Sequence, residues 1–371
     1  MAEGFRTEEF QVNMGPHHPS THGVCRFILT MDGEVIVKAE PVIGYLHRSL
    51  EKICENRTYA QCIPVMDRFE YCTSMCCNEV FALAVEKLAG IEVPERAEYL
   101  RVIMMELNRI ASHMIWYGTT ALDMGAITPF LYSFREREDI LDMFEMTCGQ
   151  RLTYNYIRIG GVSKDIPPEF IPKCQKFLAE IDKNIDDYER MLTENPIFMV
   201  RNKGIGVITP EMGIAYGVSG PSLRASGVKH DLRRDDPYSI YDRFKFDIPI
   251  CHNGDCYDRY VIRIQEMRES AKIVRQALEQ LPDAEGTTGK MVKANFKPAK
   301  GEVYSRIENS RGEMGVYIQS TGDTKKPLRV KMRGGSYNQL QVMPELVKGF
   351  KIADVVAIMA SLDIIMPEVD R

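Results

Sequence analysis

No run of eighteen apolar residues occurs anywhere in the 371-residue chain, so no segment reads as a membrane-spanning helix. The opening residues, MAEGFRTEEF, lack the basic start and apolar stretch of a secretory signal. The expectation is a cytosolic protein, or one on the cytosolic side of a larger body. Charge of one sign is not in excess, with 47 Lys and Arg against 52 Asp and Glu and a net charge of −5. That gives no broad basic field, and nucleic acid is excluded as a partner. Tryptophan is nearly absent, Trp116 being the only one, whereas 21 methionines suggest an adaptable core. The ten cysteines contain no CxxC pair, so neither a zinc ribbon nor an iron-sulfur spacing is present. What remains, 44% hydrophobic and 27% charged, is an ordinary globular chain long enough for two or three domains or layers.

Against this background one segment stands out. MGPHHPSTHG, residues 14 to 23, holds His17, His18 and His22, three of the seven histidines, in a stretch too broken by proline for a helix. The first fifty residues read as short strands, with CRFILTMDGEVIVKAEPVIGYL alternating apolar and polar residues about Asp32-Gly33, which predicts a hairpin with the histidines at its entry. Helical spacing predicts long helices over residues 71–90, from the VPE signal at 93–95 onward, after Pro129, over about 168–194, and over 255–281. The last carries an apolar face through Tyr257, Val261, Ile264, Met267, Ala271, Val274 and Leu278. Four or five such helices make an antiparallel bundle. Gly, Pro and Lys mark residues 282–302 as an exposed loop, after which two strand-like stretches and a final short helix in IADVVAIMASLDII complete the chain. The fold class expected is mainly α with small β elements, divided as an N-terminal segment (1–65), a helical bundle (66–282) and a C-terminal segment (283–371).

The chemistry of these residues leaves several readings open. His17, His18 and His22 suit a metal site, a set of satisfied structural imidazoles, or a proton-handling site; without further His or Cys at ligand spacing the metal reading is the weakest. Cys72, Cys76 and Cys77 on one helix, and Cys251 with Cys256, read as buried thiols. GPSLRASG and RIGG lack the strand-GxGxxG-helix context, so neither NAD nor ATP is expected on this chain. Asp67, Arg68, Asp123 and Asp363 stand in apolar surroundings, as ion pairs pinning helix ends or as proton carriers with shifted pKa values.

Read together, NMGPHHPSTHG, IGYLHRSLEK, RTYAQCIPVMDRFEY, VPERAEYLRVIMMELNRIASH, FREREDILDMFE, YNYIRIGG, SLRASG, GDCYDRY and SLDIIMPEVDR closely resemble the D-subunit family of proton-pumping NADH-quinone oxidoreductase, respiratory complex I. The resemblance runs from Phe10 to Arg371. It implies a fold like the large subunit of nickel-iron hydrogenases, with which that family shares ancestry. The metal-binding CxxC pairs of hydrogenase are missing, since the terminus has no cysteine and the early region keeps only Cys62, so nickel has no thiolates to hold it. The resemblance further implies a quinone (ubiquinone or menaquinone) headgroup site, with His22 and Tyr71 at the quinone carbonyls and Asp123 paired with the histidine. Arg48 would lie beside the terminal iron-sulfur cluster of a neighbouring subunit. No metal or cluster is expected on this chain itself. Partners would be that iron-sulfur subunit and the other peripheral-arm and membrane-arm subunits, at the cytoplasmic face of the inner membrane. Thr153 departs from the family, many of whose members carry histidine there; a low-potential quinone such as menaquinone is compatible with its loss. Two alternatives remain at this point. One is the equivalent subunit of a ferredoxin- or F420-dependent complex, told apart by its electron-input partners; the other is a hydrogenase-derived scaffold, which would show no inhibitor footprint at His22 and Tyr71.

Overall fold

The computed structural model describes residues 8–17, 23–283, 287–289, 292–293 and 295–371; His18 and His22 lie outside the described residues. Three strands open the chain as an antiparallel meander: β1 (Glu9–His17), β2 (Cys25–Asp32) and β3 (Val35–Val42). Strand β2 alternates buried and half-exposed residues, placing Cys25, Phe27, Leu29 and Met31 on the core side, as a sheet covered on one face requires. The Asp32-Gly33 turn falls where the alternation put it. Strand β1 fits the same reading: Phe10, Val12 and Met14 alternate with Glu9, Gln11 and Asn13, and Val12 and Met14 pack against the core although the strand is mostly exposed.

Helices α1 (Leu50–Glu55), α2 (Tyr59–Met66), α3 (Ser74–Ala89), α4 (Glu95–Asp123) and α5 (Ile127–Cys148) follow. Helix α3 stops at Gly90, whose φ of 63 is the left-handed conformation that glycine adopts without cost. Helix α5 starts two residues before Pro129 rather than after it; in the first turn a proline has no intrahelical amide bond to lose. A two-residue ladder, β4 (Ile157–Arg158) with β5 (Gly161–Val162), precedes α6 (Phe170–Leu192). Short helices α7 (Pro196–Asn202), α8 (Pro210–Ala215), α9 (Gly220–Arg224) and α10 (Leu232–Asp235) lead to α11 (Cys256–Glu279).

Helices α4, α5, α6 and α11 pack in a ring, each against two of the others. Helix α3 lies outside it, against a second antiparallel sheet of β6 (Gly301–Asn309), β7 (Gly312–Ser320) and β8 (Arg329–Arg333). The chain closes with α12 (Gly335–Val347), α13 (Ile352–Leu362) and α14 (Met366–Asp370). Helix α12 was not expected, because it opens on glycine and carries Pro344. The apolar stripe of α11 is buried from Ile264 to Val274, but so are Arg259, Arg263, Glu266 and Ser270 on its other side. A second apolar core joins β2 and β3 to α12, α13 and α14, so the two ends of the chain share one interior.

The tip of the β6–β7 hairpin is the unusual feature. Hairpin tips normally face water, yet Ser310 and Arg311, the two turn residues, are 0% and 1% exposed. Gly312 allows it. Its φ is 102, and a Cβ there would strike the Ser219 hydroxyl and the Gly220 backbone of α9. Gly312→Ala therefore combines backbone strain with a backbone clash, each of about 1–3 kcal/mol. Thermal unfolding of the variant should show a loss of at least about 2 kcal/mol; a change under about 0.5 kcal/mol would mean the tip is not held as described.

Candidate functional site

The segment Asp67 to Ser74, between α2 and α3, is held by the side chains of Glu70, Ser74 and Asn108. Tyr71–Thr73 form one 3-10 turn, capped by Glu70, whose carboxylate accepts from the Cys72 amide at 2.8 Å. Ser74 Oγ donates to the carbonyls of Asp67 and Tyr71, each at 3.2 Å. From α4, Asn108 donates to the Cys72 carbonyl at 3.0 Å and accepts from the Met75 amide at 3.1 Å. The backbone on both sides of Tyr71 is thus fixed by hydrogen bonds, as precise placement of a side chain demands.

Tyr71 is half-buried in an apolar niche with Cys72, Ile115 of α4, Phe134 of α5 and Ile365 of the C-terminal tail. Burial pushes its phenol well above the ordinary tyrosine range; Cys72, Glu70 and Asp363 push it further, and the Arg311 guanidinium opposes them. Phe130 stacks on Phe134 at 4.3 Å and extends the niche along α5. Gly23, the last residue of the histidine segment, is seated against the same tail: a Cβ there would lie 2.9 Å from Met366 Cβ and 3.3 Å from Leu46. Asp123 is the half-buried last residue of α4, eight residues or about 12 Å of helix beyond Ile115.

Arg48 reaches into the same region from the loop after β3. Its Nη2 donates to the carbonyls of Arg68 at 2.6 Å and Pro367 at 3.3 Å. Partial burial lowers its pKa, against the support of Asp370 and Tyr71. The tail that Arg48 clasps is stitched down by its own acids. Asp370 accepts from the amides of Gly44 and Leu46, each at 2.8 Å. Glu368 accepts from the Gly335 and Ser336 amides at 3.0 and 3.2 Å and from the Ser336 hydroxyl. Asp363, in left-handed conformation at φ 56, meets Arg311 at 3.1 Å.

The buried charges form a connected set that sequence reading resolved only in part. Asp67 and Asp363 were marked by their apolar neighbours; Glu70 and Arg311 were not, because each sits in a turn motif where a charged residue is usually solvated. Arg311 bonds Asp363 and stands 3.4 Å from Glu70. It also donates to Ser112 at 3.1 Å, the residue before His113. His113 pairs with Glu266 at 3.0 Å, and Glu266 with Arg224, which holds Glu308 at 2.8 Å. Burial lowers the pKa of His113 even against Glu266, whereas Arg224 and His113 pull that of Glu266 far down against its own burial.

A cavity of about 300 Å³ opens on the other side of Arg68, lined by Pro64, Arg68, Thr153, Tyr154 and Arg158 among others. Thr153, the residue that replaces a common histidine, has φ 56, a conformation that β-branched side chains rarely adopt. Next to Arg68, Asp67 is fully buried; neither carboxylate oxygen completes a hydrogen bond, and Arg68 stands 3.6 Å away. Burial raises its pKa to about 7 in spite of the nearby Asn155 amide, Arg68 and Asn78. Eight of the ten cysteines are buried. Among the described residues no group of three or more His, Cys, Asp or Glu is placed to hold a metal, and no helix is long and apolar enough to cross a membrane.

Comparison with known proteins adds an independent line. Residues 123–290 and 286–371 match the family model described as respiratory-chain NADH dehydrogenase, 49 kDa subunit. The chain is 53% identical over 365 residues to the D subunit of NADH-quinone oxidoreductase from Clostridium beijerinckii, covering 98% of each chain. It is 54% identical over 367 residues to the protein of the same name from Dehalococcoides mccartyi, covering 99% of each. With that of Bacillus cereus it shares 51% over 365 residues, covering 98% of this chain and 99% of the other.

The state of Asp67 gives a stability test. In the unfolded chain its pKa is the ordinary 3.8 and in the folded chain about 7, so between these values the folded state binds more protons and stability falls as pH rises. Asp67→Asn has no such proton to lose. Denaturant unfolding should show the variant gaining on the wild type by on the order of 1 kcal/mol per pH unit between about pH 4 and 7 and levelling above. A difference independent of pH would place the carboxylate in water.

Proposed function

The chain belongs to the family of the 49 kDa subunit of respiratory-chain NADH dehydrogenase, and on that premise we propose that it forms the quinone headgroup site of an NADH-quinone oxidoreductase and supplies protons for quinone reduction. It is a subunit of an oxidoreductase complex and acts only within it. Reducing a quinone to a quinol takes two electrons and two protons, and leaves charge on both carbonyl oxygens until the protons arrive. The electrons come from the terminal cluster of a neighbouring iron-sulfur subunit. Tyr71 and His22 meet the two oxygens. A phenol gives up a proton readily only when the acceptor is a developing oxyanion at hydrogen-bond distance, and the raised pKa of Tyr71 keeps it protonated until then. Asp123 pairs with His22, holding the imidazole charged before it delivers its proton. Arg48 supplies a positive charge between the tail and the cluster-bearing partner. Peripheral attachment on the cytoplasmic side follows from the need to meet both that partner and the membrane arm.

The observation that carries this reading is the niche of Tyr71: a phenol on a rigid turn, walled by Ile115, Phe134 and Ile365, with the buried Arg311 guanidinium acting on it. An apolar wall with one convergent polar donor is the chemistry a quinone ring and its carbonyl require. Tyr71→Phe keeps the ring and removes the donor. Quinone reductase activity in the assembled complex should fall by one to three orders of magnitude, about 1.4–4 kcal/mol of transition-state stabilisation, while NADH oxidation with an artificial acceptor upstream persists. Equal loss of both activities would indicate failed assembly, and full retention of both would remove Tyr71 from the reaction. Protection of this segment by a quinone-analogue inhibitor distinguishes the site from a scaffold, which would show no footprint.

A further inference from the structure

Glu70 lies directly behind Tyr71, and the mechanism above does not use it. Its side chain is wholly buried, bonded through one oxygen to the Cys72 amide that closes the tyrosine's own turn and through the other to Asn309 Nδ2 at 3.3 Å. Arg311 stands 3.4 Å from it and holds Asp363 by its other arm. We propose that Glu70 is a positioning residue for quinone reduction, which fixes the orientation of Tyr71 through the turn it caps and sets that phenol's strength as a proton donor through the Arg311 it shares with Asp363. This rests on Tyr71 being the donor.

The charge count shows how. Glu70, Arg311 and Asp363 carry together one net negative charge when both acids are ionised, and none when Glu70 takes up a proton. Tyr71 feels all three: Glu70 and Asp363 oppose its ionisation and Arg311 favours it. Neutral Glu70 therefore leaves Arg311 less opposed and makes Tyr71 the better donor, whereas ionised Glu70 holds the proton on the phenol. The groups facing Glu70 place this change in the working range. Burial is the largest influence. Glu368 of α14 and Asp363 after α13 add to it, Arg311 and Asn309 of the β6–β7 tip oppose it, and the pKa comes to about 7. Cys76 and Cys77 of α3, with Cys72 and Tyr71 of its own turn, complete its surroundings, and burial keeps all four in their neutral forms. The C-terminal tail enters the same circuit, since Asp363 and Glu368 both belong to it.

The test is the pH profile of quinone reduction at saturating quinone in the assembled, membrane-bound complex, referred at each pH to NADH oxidation with an upstream artificial acceptor. In the wild type the ratio should fall several-fold from pH 6 to pH 8.5 as Glu70 ionises. Glu70→Gln keeps an oxygen for the Cys72 amide and cannot ionise, so its fall over the same range should shrink below about twofold, with KM for quinone unchanged. Glu70→Asp restores a titrating acid and should restore the limb. Asp363→Asn, which suits the left-handed backbone and keeps an oxygen for Arg311, removes a charge that raises the pKa of Glu70; it should move the limb toward lower pH and decides the matter if Glu70→Gln does not assemble. A limb unmoved in Glu70→Gln, or in Asp363→Asn, overturns the proposal. In a Tyr71→Phe background Glu70→Gln should have no further effect on the profile; a persisting effect would sever Glu70 from Tyr71, whereas retained quinone reduction in Tyr71→Phe alone would refute the donor reading itself.

Discussion

Arg311 is the residue on which the site's geometry depends. It sits at the tip of a hairpin, 1% exposed, and no buried guanidinium is stable without carboxylates and carbonyls to replace its water. Two acids from distant parts of the chain meet that need: Glu70, before the turn of Tyr71, and Asp363, where α13 gives way to the tail. The arginine also donates to the Asp363 carbonyl at 3.0 Å and to the hydroxyls of Ser112 and Ser310. Because each partner lies on a different element, removing the cation would leave two buried anions facing each other and free the tyrosine turn, the tail and α4 together. A buried ion pair is seldom the cheapest way to stabilise a fold; here it registers four segments against one another beside the niche of Tyr71.

The same logic extends inward. Arg224, Glu266, Glu308 and His113 are all buried, and they connect α9, α11, β6 and α4 through side chains alone. The charge balance of such a set determines how many protons it carries, and the pKa values of Glu266 and His113 are both shifted down, which leaves Glu266 ionised and His113 neutral. Glu266 therefore has no proton to exchange near neutral pH, whereas burial raises Asp67 and Glu70 to about 7 in the short approach to α3 and Glu79 to about 8 within α3 itself. Exchangeable protons thus collect along α3 and the turn before it.

Legibility in the sequence followed the physical signal each feature leaves. Helices α3, α4, α6 and α11 announced themselves by period and end signals, and the β2–β3 hairpin by alternation about Asp32-Gly33. Helix α12 escaped because Gly335 and Pro344 weaken its local preference, and tertiary packing against β3 and α13 supplies what propensity does not. The apolar stripe of α11 was visible, but the burial of Arg259, Arg263 and Glu266 was not, since a periodicity argument assigns charged residues to water. Strand β1 left the same alternation in Phe10, Val12 and Met14, although it is paired on one side only and mostly exposed. The family, by contrast, was legible from ordered motifs spread over the whole chain, which no single element could have provided.

The candidate site shows the same division more sharply. Tyr71 and Arg48 were reached through resemblance, and the structure brings both against residues 365–371; His22 lies outside the described residues. What resemblance did not supply was the reason a tyrosine at this place can work. That reason is not in the tyrosine. A phenol with its pKa raised by burial is a poor acid in isolation, and the apolar walls of the niche are what make it so. The donor becomes effective only if something behind it can lower the cost of the phenolate at the right moment without opening the niche to water. A carboxylate that is itself buried, already bonded to the phenol's own turn, and balanced against an arginine meets that requirement with a single proton. On the reading proposed here the apolar pocket and the buried acid are one solution to one problem: the pocket excludes water from the reaction, and the acid restores the electrostatic adjustment that water would otherwise have made.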